Sequence, residues 1–140
     1  MTFCIFVRGL PVSKGSMRAF VRGPRAFITN ANPKTRIWEH EIRHAVTQQW
    51  GPVTTDEPLC VDLTFCLPRP KAHYNAKGEV KPRALALYPR SKPDLDKLTR
   101  TVLDALTALV YRDDSQVCRV VAMKEYAAST GVWITVSVMS

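Results

Sequence analysis

Between Ser91 and Val117 the chain carries the pattern that most restricts how it folds. Leu95, Leu98, Val102, Ala105, Leu106 and Leu109 recur at steps of three and four. That is the period of a helix with one buried stripe. Pro93 holds Lys92 in extended geometry, and Asp94 is a favoured N-cap residue, so the helix begins at Asp94-Leu95. Carboxylates mark both ends of the segment. Asp94, Asp96, Asp104, Asp113 and Asp114 make five of the 12 acidic residues of a 140-residue chain with net charge +8. Each has an ordinary explanation: helix-dipole compensation for Asp94 and Asp96, i,i+4 pairing of Arg100 with Asp96 and Asp104, and a turn at Asp113-Asp114. In combination, on an otherwise cationic chain, they point to hard oxygen ligands converging on a divalent metal, Mg²⁺ or Mn²⁺.

The flanking segments read as strands. Thr2–Arg8 alternates, with Phe3, Ile5 and Val7 on one side. Met17–Val21 and Ala26–Thr29 flank a basic tip, Arg22-Gly23-Pro24-Arg25, as a short hairpin. Asn32-Pro33 starts a second helix whose stripe is Ile37, Trp38, Ile42, Ala45, Val46 and Gln49 or Trp50, closed by Gly51-Pro52. Leu59, Val61, Leu63, Phe65 and Leu67 form the clearest alternating strand. Val117–Tyr126 and Val132–Met139 read as two strands joined in a hairpin around Ala128–Gly131. This order predicts a single α+β domain over 1–140, with a mixed β-sheet and two helices.

Charge bounds the class of partner. No acidic residue precedes Glu39, while Arg8, Lys14, Arg18, Arg22, Arg25, Lys34 and Arg36 lie ahead of it. Residues 68–93 hold five prolines and seven cations (Arg69, Lys71, Lys77, Lys81, Arg83, Arg90 and Lys92) against Glu79. With a pI near 9.6, the natural partner is a polyanion, and the N-terminal cations read either as an electrostatic footprint for phosphate or as an ordinary solvated surface. Tyr74, Tyr88 and His73 are candidates for stacking on bases. No apolar run approaches the ~20 residues of a membrane span, and the N-terminus lacks the order of a secretory signal. Cys4, Cys60, Cys66 and Cys118 lack metal-site spacing and read as reduced core or near-core residues, so a cytoplasmic location is expected. His40-Glu41-Ile42-Arg43-His44 spells a zinc-protease motif on a helix. The chain is short for such a fold, and the letters suit the polar face of a surface helix.

Lys92-Pro93-Asp94-Leu95-Asp96, Val102-Leu103-Asp104-Ala105-Leu106, Asp113-Asp114-Ser115-Gln116-Val117 and Lys124 together resemble the RusA family of Holliday junction resolvases. Weaker likeness covers Gly9-Leu10-Pro11 with Lys14 and Arg18, and the helix start within Thr29–Glu41. The resemblance implies a RusA-like fold and a homodimeric, Mg²⁺-dependent endodeoxyribonuclease of the kind often carried by phages. Such an enzyme nicks opposed strands of four-way DNA junctions symmetrically during recombination and repair. Carried over by position, Asp94, Asp96 and Asp114 match the catalytic, metal-binding carboxylates, with Asp113 as their neighbour. Arg100 stands where the family has its catalytic lysine, and Lys97 where it usually has asparagine. Arg keeps the charge but does not donate a proton near neutral pH, so Lys97 is the candidate substitute. The DNA contacts implied are Lys14, Arg18, Arg69, Lys71, Lys77, Lys81, Arg83, Arg90, Lys92 and Lys124. The alternative is a catalytically weakened protein that still binds branched DNA. Leu103, Leu109, Val110 and Tyr111 are candidate dimer contacts that sequence does not separate from core.

Overall fold

The computed structural model describes residues 2–13, 17–22, 25–30, 33–51 and 54–140, with backbone only for the two strands between 17 and 30. Four strands form one mixed sheet: β1 (Thr2–Arg8), β4 (Leu59–Leu67), β5 (Val117–Tyr126) and β6 (Gly131–Val138). Their order across the sheet is β1-β6-β4-β5. β6 pairs antiparallel with β1 and β4, whereas β4 and β5 run parallel. β2 (Met17–Arg22) and β3 (Arg25–Asn30) form a separate antiparallel ribbon. Two helices, α1 (Pro33–Trp50) and α2 (Leu95–Leu106), pack on each other, with α1 against β1 and α2 against β5. The α+β class, with a mixed sheet and two helices, agrees with the sequence reading.

The buried alternation on β4 explains its central place. Leu59, Val61, Leu63 and Phe65 are fully buried and meet Trp38, Ile42 and Val46 of α1 and Leu98, Val102 and Leu106 of α2. Because β5 is parallel to β4, the chain must return along the sheet before β5 begins, and α2 is part of that return.

Three local expectations are corrected. β5 and β6 do not form a hairpin: β6 inserts between β1 and β4, leaving β5 at the sheet edge. Val132, Ile134 and Val136 of β6 are fully buried, and its backbone is paired on both sides. At the entry point Gly131 has φ +155°, and a Cβ there would clash with the Val7 carbonyl oxygen. Secondly, α2 stops at Leu106, so Leu109 lies beyond it. Thr107 turns extended and Ala108 adopts φ +68°, while Arg43 donates from Nη1 to the carbonyls of Ala105 and Thr107 at 2.9 and 3.0 Å. Those are carbonyls that a helix end otherwise leaves without partners. Thirdly, Cys4 and Cys118 are exposed, whereas Cys66 is buried and Cys60 half-buried. Cys4 falls on the unburied side of the β1 alternation, and Cys118 on the sheet-edge strand.

Val110 and Tyr111 are fully buried, so they are core rather than dimer surface. The Tyr111 hydroxyl donates to the Leu103 carbonyl at 2.6 Å. Burial, assisted by the charges of Asp114, Asp104 and Asp113, pushes that hydroxyl's pKa up despite the opposing Thr107 hydrogen bond. Tyr111→Phe should destabilise the fold by about 1–3 kcal/mol, read by urea denaturation, because a polar group loses its partner. Burial also raises the Cys66 thiol, followed by the Glu125 charge and the contact from Cys66 Sγ to Glu125 Oε1 at 3.9 Å. At pH 8, iodoacetamide should therefore label Cys4 and Cys118 first and Cys66 last, as read by mass spectrometry.

Candidate functional site

Asp94 occupies the N-cap position of α2, and its backbone carbonyl accepts from Leu98 N at 3.0 Å. Its side chain makes no capping hydrogen bond. The carboxylate is exposed, with Oδ2 3.5 Å from Lys97 Nζ. Asp96 is exposed in the first helical turn, and Arg100 is exposed one turn further along the same face. The segment leading into the helix is anchored from the sheet. Lys124, on β5, donates from Nζ to the carbonyls of Ser91 at 2.8 Å and Pro93 at 3.0 Å. The cation thereby fixes the backbone immediately before Asp94.

Beside Asp94 lies a cavity of about 740 Å³. Its wall includes Pro11, Arg69, Lys92, Asp94, Lys97 and Tyr126. The volume falls in the range of ligand clefts, and the prolines supply apolar surface between the cations. Arg69 is a structural member of this wall. It donates to the Ala84 carbonyl at 2.7 Å, contacts His73 Nδ1 at 3.3 Å and lies 5.2 Å from the Tyr126 ring centroid. His73 also meets Tyr126 edge-on at 5.1 Å, so its ring is engaged within the fold. The long basic segment is internally bonded. Short 3-10 turns form at Lys71–His73 and Pro82–Ala84, and Asn75 Oδ1 accepts from the backbone N–H of Lys77 and Glu79.

The second acidic group begins with Asp113. Its Oδ1 accepts from Ser115 N at 3.1 Å, closing a capping box with Gln116. Gln116 Oε1 accepts from Arg112 N, and its Nε2 donates to the carbonyls of Thr55 and Glu57, both at 3.0 Å. Gln116 thus ties the Asp113-Asp114 turn to the segment before β4. The Asp113 carboxyl is held below the usual carboxylate range, first by the Ser115 N–H and then by its hydrogen bond with Asp114. Asp114, sharing that bond with a like-charged neighbour, is pushed up, and the charge of Asp104 adds in the same direction.

The two acidic groups lie at opposite ends of α2. Asp94, Asp96 and Lys97 sit beside Lys124, near the C-terminal end of β5, whereas Asp113 and Asp114 immediately precede its first residue. Twelve residues of α2 span roughly 18 Å at 1.5 Å per residue. Val117 to Lys124 covers about 23 Å along β5 at ~3.3 Å per residue. Among the described residues, no three His, Cys, Asp or Glu side chains within this chain gather closely enough to hold a metal ion. The expected meeting of Asp94 and Asp96 with Asp114 is therefore not made inside one chain, because the parallel β4–β5 connection carries α2 along the sheet and separates them.

Of the DNA-contact candidates, Lys71, Lys77, Arg83, Arg90 and Lys92 are exposed, while Arg69, Lys81 and Lys124 are half-buried. Lys14 lies outside the described residues, and Arg18 is on β2, where only the backbone is described. His40 and His44 are exposed on α1. Sequence reasoning gave no role to Arg43, which holds the C-terminal end of α2, or to Gln116, which pins the second acidic turn. The capping-box letters Asp113 to Gln116 were the available signal for the latter. Arg43 had none, since its partners lie 62 and 64 residues away.

An α+β fold with carboxylates at both ends of one helix and a cation-lined cavity beside it defines a class of polyanion-binding proteins with candidate metal ligands. The sequence model described as Endodeoxyribonuclease RusA matches residues 9–137. The chain belongs to the RusA family, and membership implies a Holliday junction-resolving endonuclease. It is also similar to "Uncharacterized protein YqaN" of Bacillus subtilis (strain 168), at 28% identity over 135 residues, covering 96% of this chain and 94% of that protein.

Lys124→Met should release the Ser91 and Pro93 carbonyls. Amide exchange in residues 91–98 should then accelerate about tenfold or more, since hydrogen bonds from a charged donor contribute about 1.5–3 kcal/mol. Exchange in β4 should stay unchanged. Mass-resolved hydrogen exchange measures both.

Proposed function

We propose that this protein is a homodimeric, metal-dependent endodeoxyribonuclease that resolves four-way DNA junctions by paired, symmetric nicks. The observation carrying this reading is the placement of Asp94. Its carboxylate is exposed, unspent on capping, and borders a cation-lined cavity on a segment anchored by Lys124. Asp94, Asp96 and Asp114 are hard oxygen donors that fit Mg²⁺ or Mn²⁺, with Asp113 holding the turn that presents Asp114. When bound, the cation supplies a Lewis acid and a more acidic water.

The chain's own side chains supply the remaining chemistry. Arg100, exposed one turn from Asp96, presents a permanent charge to a phosphate oxygen without exchanging a proton. Lys97, beside Asp94, is the group able to move one. Lys71, Lys77, Arg83, Arg90 and Lys92 hold backbone phosphates without reading bases, and Lys14 and Arg18 are proposed to extend that surface. Arg69, Lys81 and Lys124 contribute mainly by holding the site's backbone and wall. A symmetric dimer matches the approximate two-fold symmetry of a four-way junction.

A second reading, branched-DNA binding with weakened catalysis, is favoured by one contact. Lys97 Nζ lies 3.5 Å from Asp94 Oδ2, where it competes with a metal for the carboxylate.

A synthetic four-way junction with Mg²⁺ or Mn²⁺ tests both. The wild type should nick opposed strands. Asp94→Asn and Asp96→Asn should lose at least roughly 100-fold in nicking, the scale of losing a group that stabilises developing charge, while still retarding the junction in a gel. Binding without nicking in either metal would establish the second reading, and Lys97→Asn should then restore cleavage.

A further inference from the structure

Residues 82–90, in the basic segment ahead of Asp94, form an arch with an apolar crest. Its two feet, Ala84 and Pro89, are buried. Between them every residue is exposed, and the large ones are apolar: Leu85 at 64%, Leu87 at 50% and Tyr88 at 65%. The first foot is held firmly. Ala84 N donates to the Lys81 carbonyl at 2.9 Å, and the Ala84 carbonyl accepts from Leu87 N at 3.2 Å and from Arg69 Nη1 at 2.7 Å. Lys81 is in turn bonded through its N–H to the His73 carbonyl at 2.8 Å. The second foot, Pro89, shares the wall of the cavity that Asp94 borders.

A braced crest that keeps large apolar side chains in water, between polar flanks, is characteristic of a contact surface. Charge selects what it contacts. Arg83 and Arg90 are exposed on either side of the crest, Lys92 follows, and no acidic residue lies between Glu79 and Asp94. Apolar groups set between cations complement a ligand whose apolar faces lie between anions. Nucleic acid is such a ligand, with base faces between phosphates. In a continuous duplex those faces are covered by the neighbouring base pairs. At a branch point the stack is interrupted.

We propose that Leu85, Leu87 and Tyr88 cap the base faces left open at the branch point of a DNA junction, with Arg83 and Arg90 on the flanking phosphates, so that the arch supplies the preference for branched over continuous DNA. This rests on the junction-nuclease reading above and adds to it the part that recognises substrate shape. Aliphatic side chains wedge at interrupted base steps, and an aromatic ring stacks on any base. Neither contact needs a hydrogen bond to a base edge, so the crest reads shape rather than sequence. The cations alone hold junction and duplex alike, since both present the same phosphates. Inserting the crest into an intact duplex costs the unstacking of a base step, whereas a branch point has that step already open.

Gel retardation in EDTA, comparing a four-way junction with a duplex of matched sequence, is the test. The variant carrying Leu85→Ser, Leu87→Ser and Tyr88→Ser together should lose roughly tenfold or more in junction affinity, the scale of lost base stacking, and keep its duplex affinity. Arg83→Gln with Arg90→Gln should instead weaken both DNAs alike and flatten the salt dependence. A junction with abasic sites at its branch-point positions should bind the wild type roughly tenfold more weakly, and should bind the triple variant no more weakly than the intact junction does. Unchanged junction affinity in the folded triple variant, or an equal loss on junction and duplex, overturns the proposal. So does a triple variant that sediments as a monomer where the wild type is a dimer, because the crest is then a contact between copies. A wild type that binds both DNAs equally overturns it as well. A wild type that prefers junctions but does not nick them in Mg²⁺ or Mn²⁺ strikes the nuclease reading and leaves the arch to be decided by binding. If circular dichroism shows the triple variant misfolded, Tyr88→Ala alone decides, with the same selective loss expected.

Discussion

The parallel pairing of β4 with β5 governs the rest of the molecule. Parallel neighbours cannot be joined by a tight turn, so the chain must travel back along the sheet between them. α2 does part of that travelling. It buries Leu98, Val102 and Leu106 against β4 and α1, which fixes its axis and exposes its polar face. Its start lies by the C-terminal end of β5 and the turn after it leads into the N-terminal end of β5. Any residues placed at the two ends of α2 are therefore held a helix length apart by the same hydrophobic packing that stabilises the domain.

Electrostatics then gives the two ends different characters. At the start of α2 the carboxylates stand among cations, and Lys124 spends two hydrogen bonds on backbone rather than on Asp94. Asp94 and Asp96 are left open to solvent beside a cationic wall. At the far end Asp113 and Asp114 share a hydrogen bond in a tight turn, with Asp104 close enough to disfavour further negative charge. Carboxylates crowded together are suited to receiving positive charge, such as that of a metal ion.

Much of this was legible in the sequence because it is local. The period of Leu95, Leu98, Val102 and Leu106 located α2, the alternation from Leu59 to Leu67 located β4, and Pro33 marked the start of α1. Strand adjacency was not legible. β5 and β6 are consecutive and each reads as a strand, but alternation records only which side chains face inward, not which strand lies alongside. β6 is paired on both edges and β5 on one, and that difference appears only once the sheet is assembled. Side chains with distant partners escaped for the same reason. Lys124 stood out in the sequence as part of the family pattern, but its ammonium's position between two carbonyls 31 and 33 residues away did not. The acidic motifs were visible as letters. The helix length separating them was visible too, but the strand pairing that keeps them apart within one chain was not.

Diffraction from crystals of the wild-type protein grown with Mn²⁺, using the metal's anomalous signal, addresses the central claim most directly. The account predicts a peak at the Asp94 and Asp96 carboxylates, beside the cation-lined cavity at the start of α2. A peak remote from Asp94 and Asp96 would contradict it.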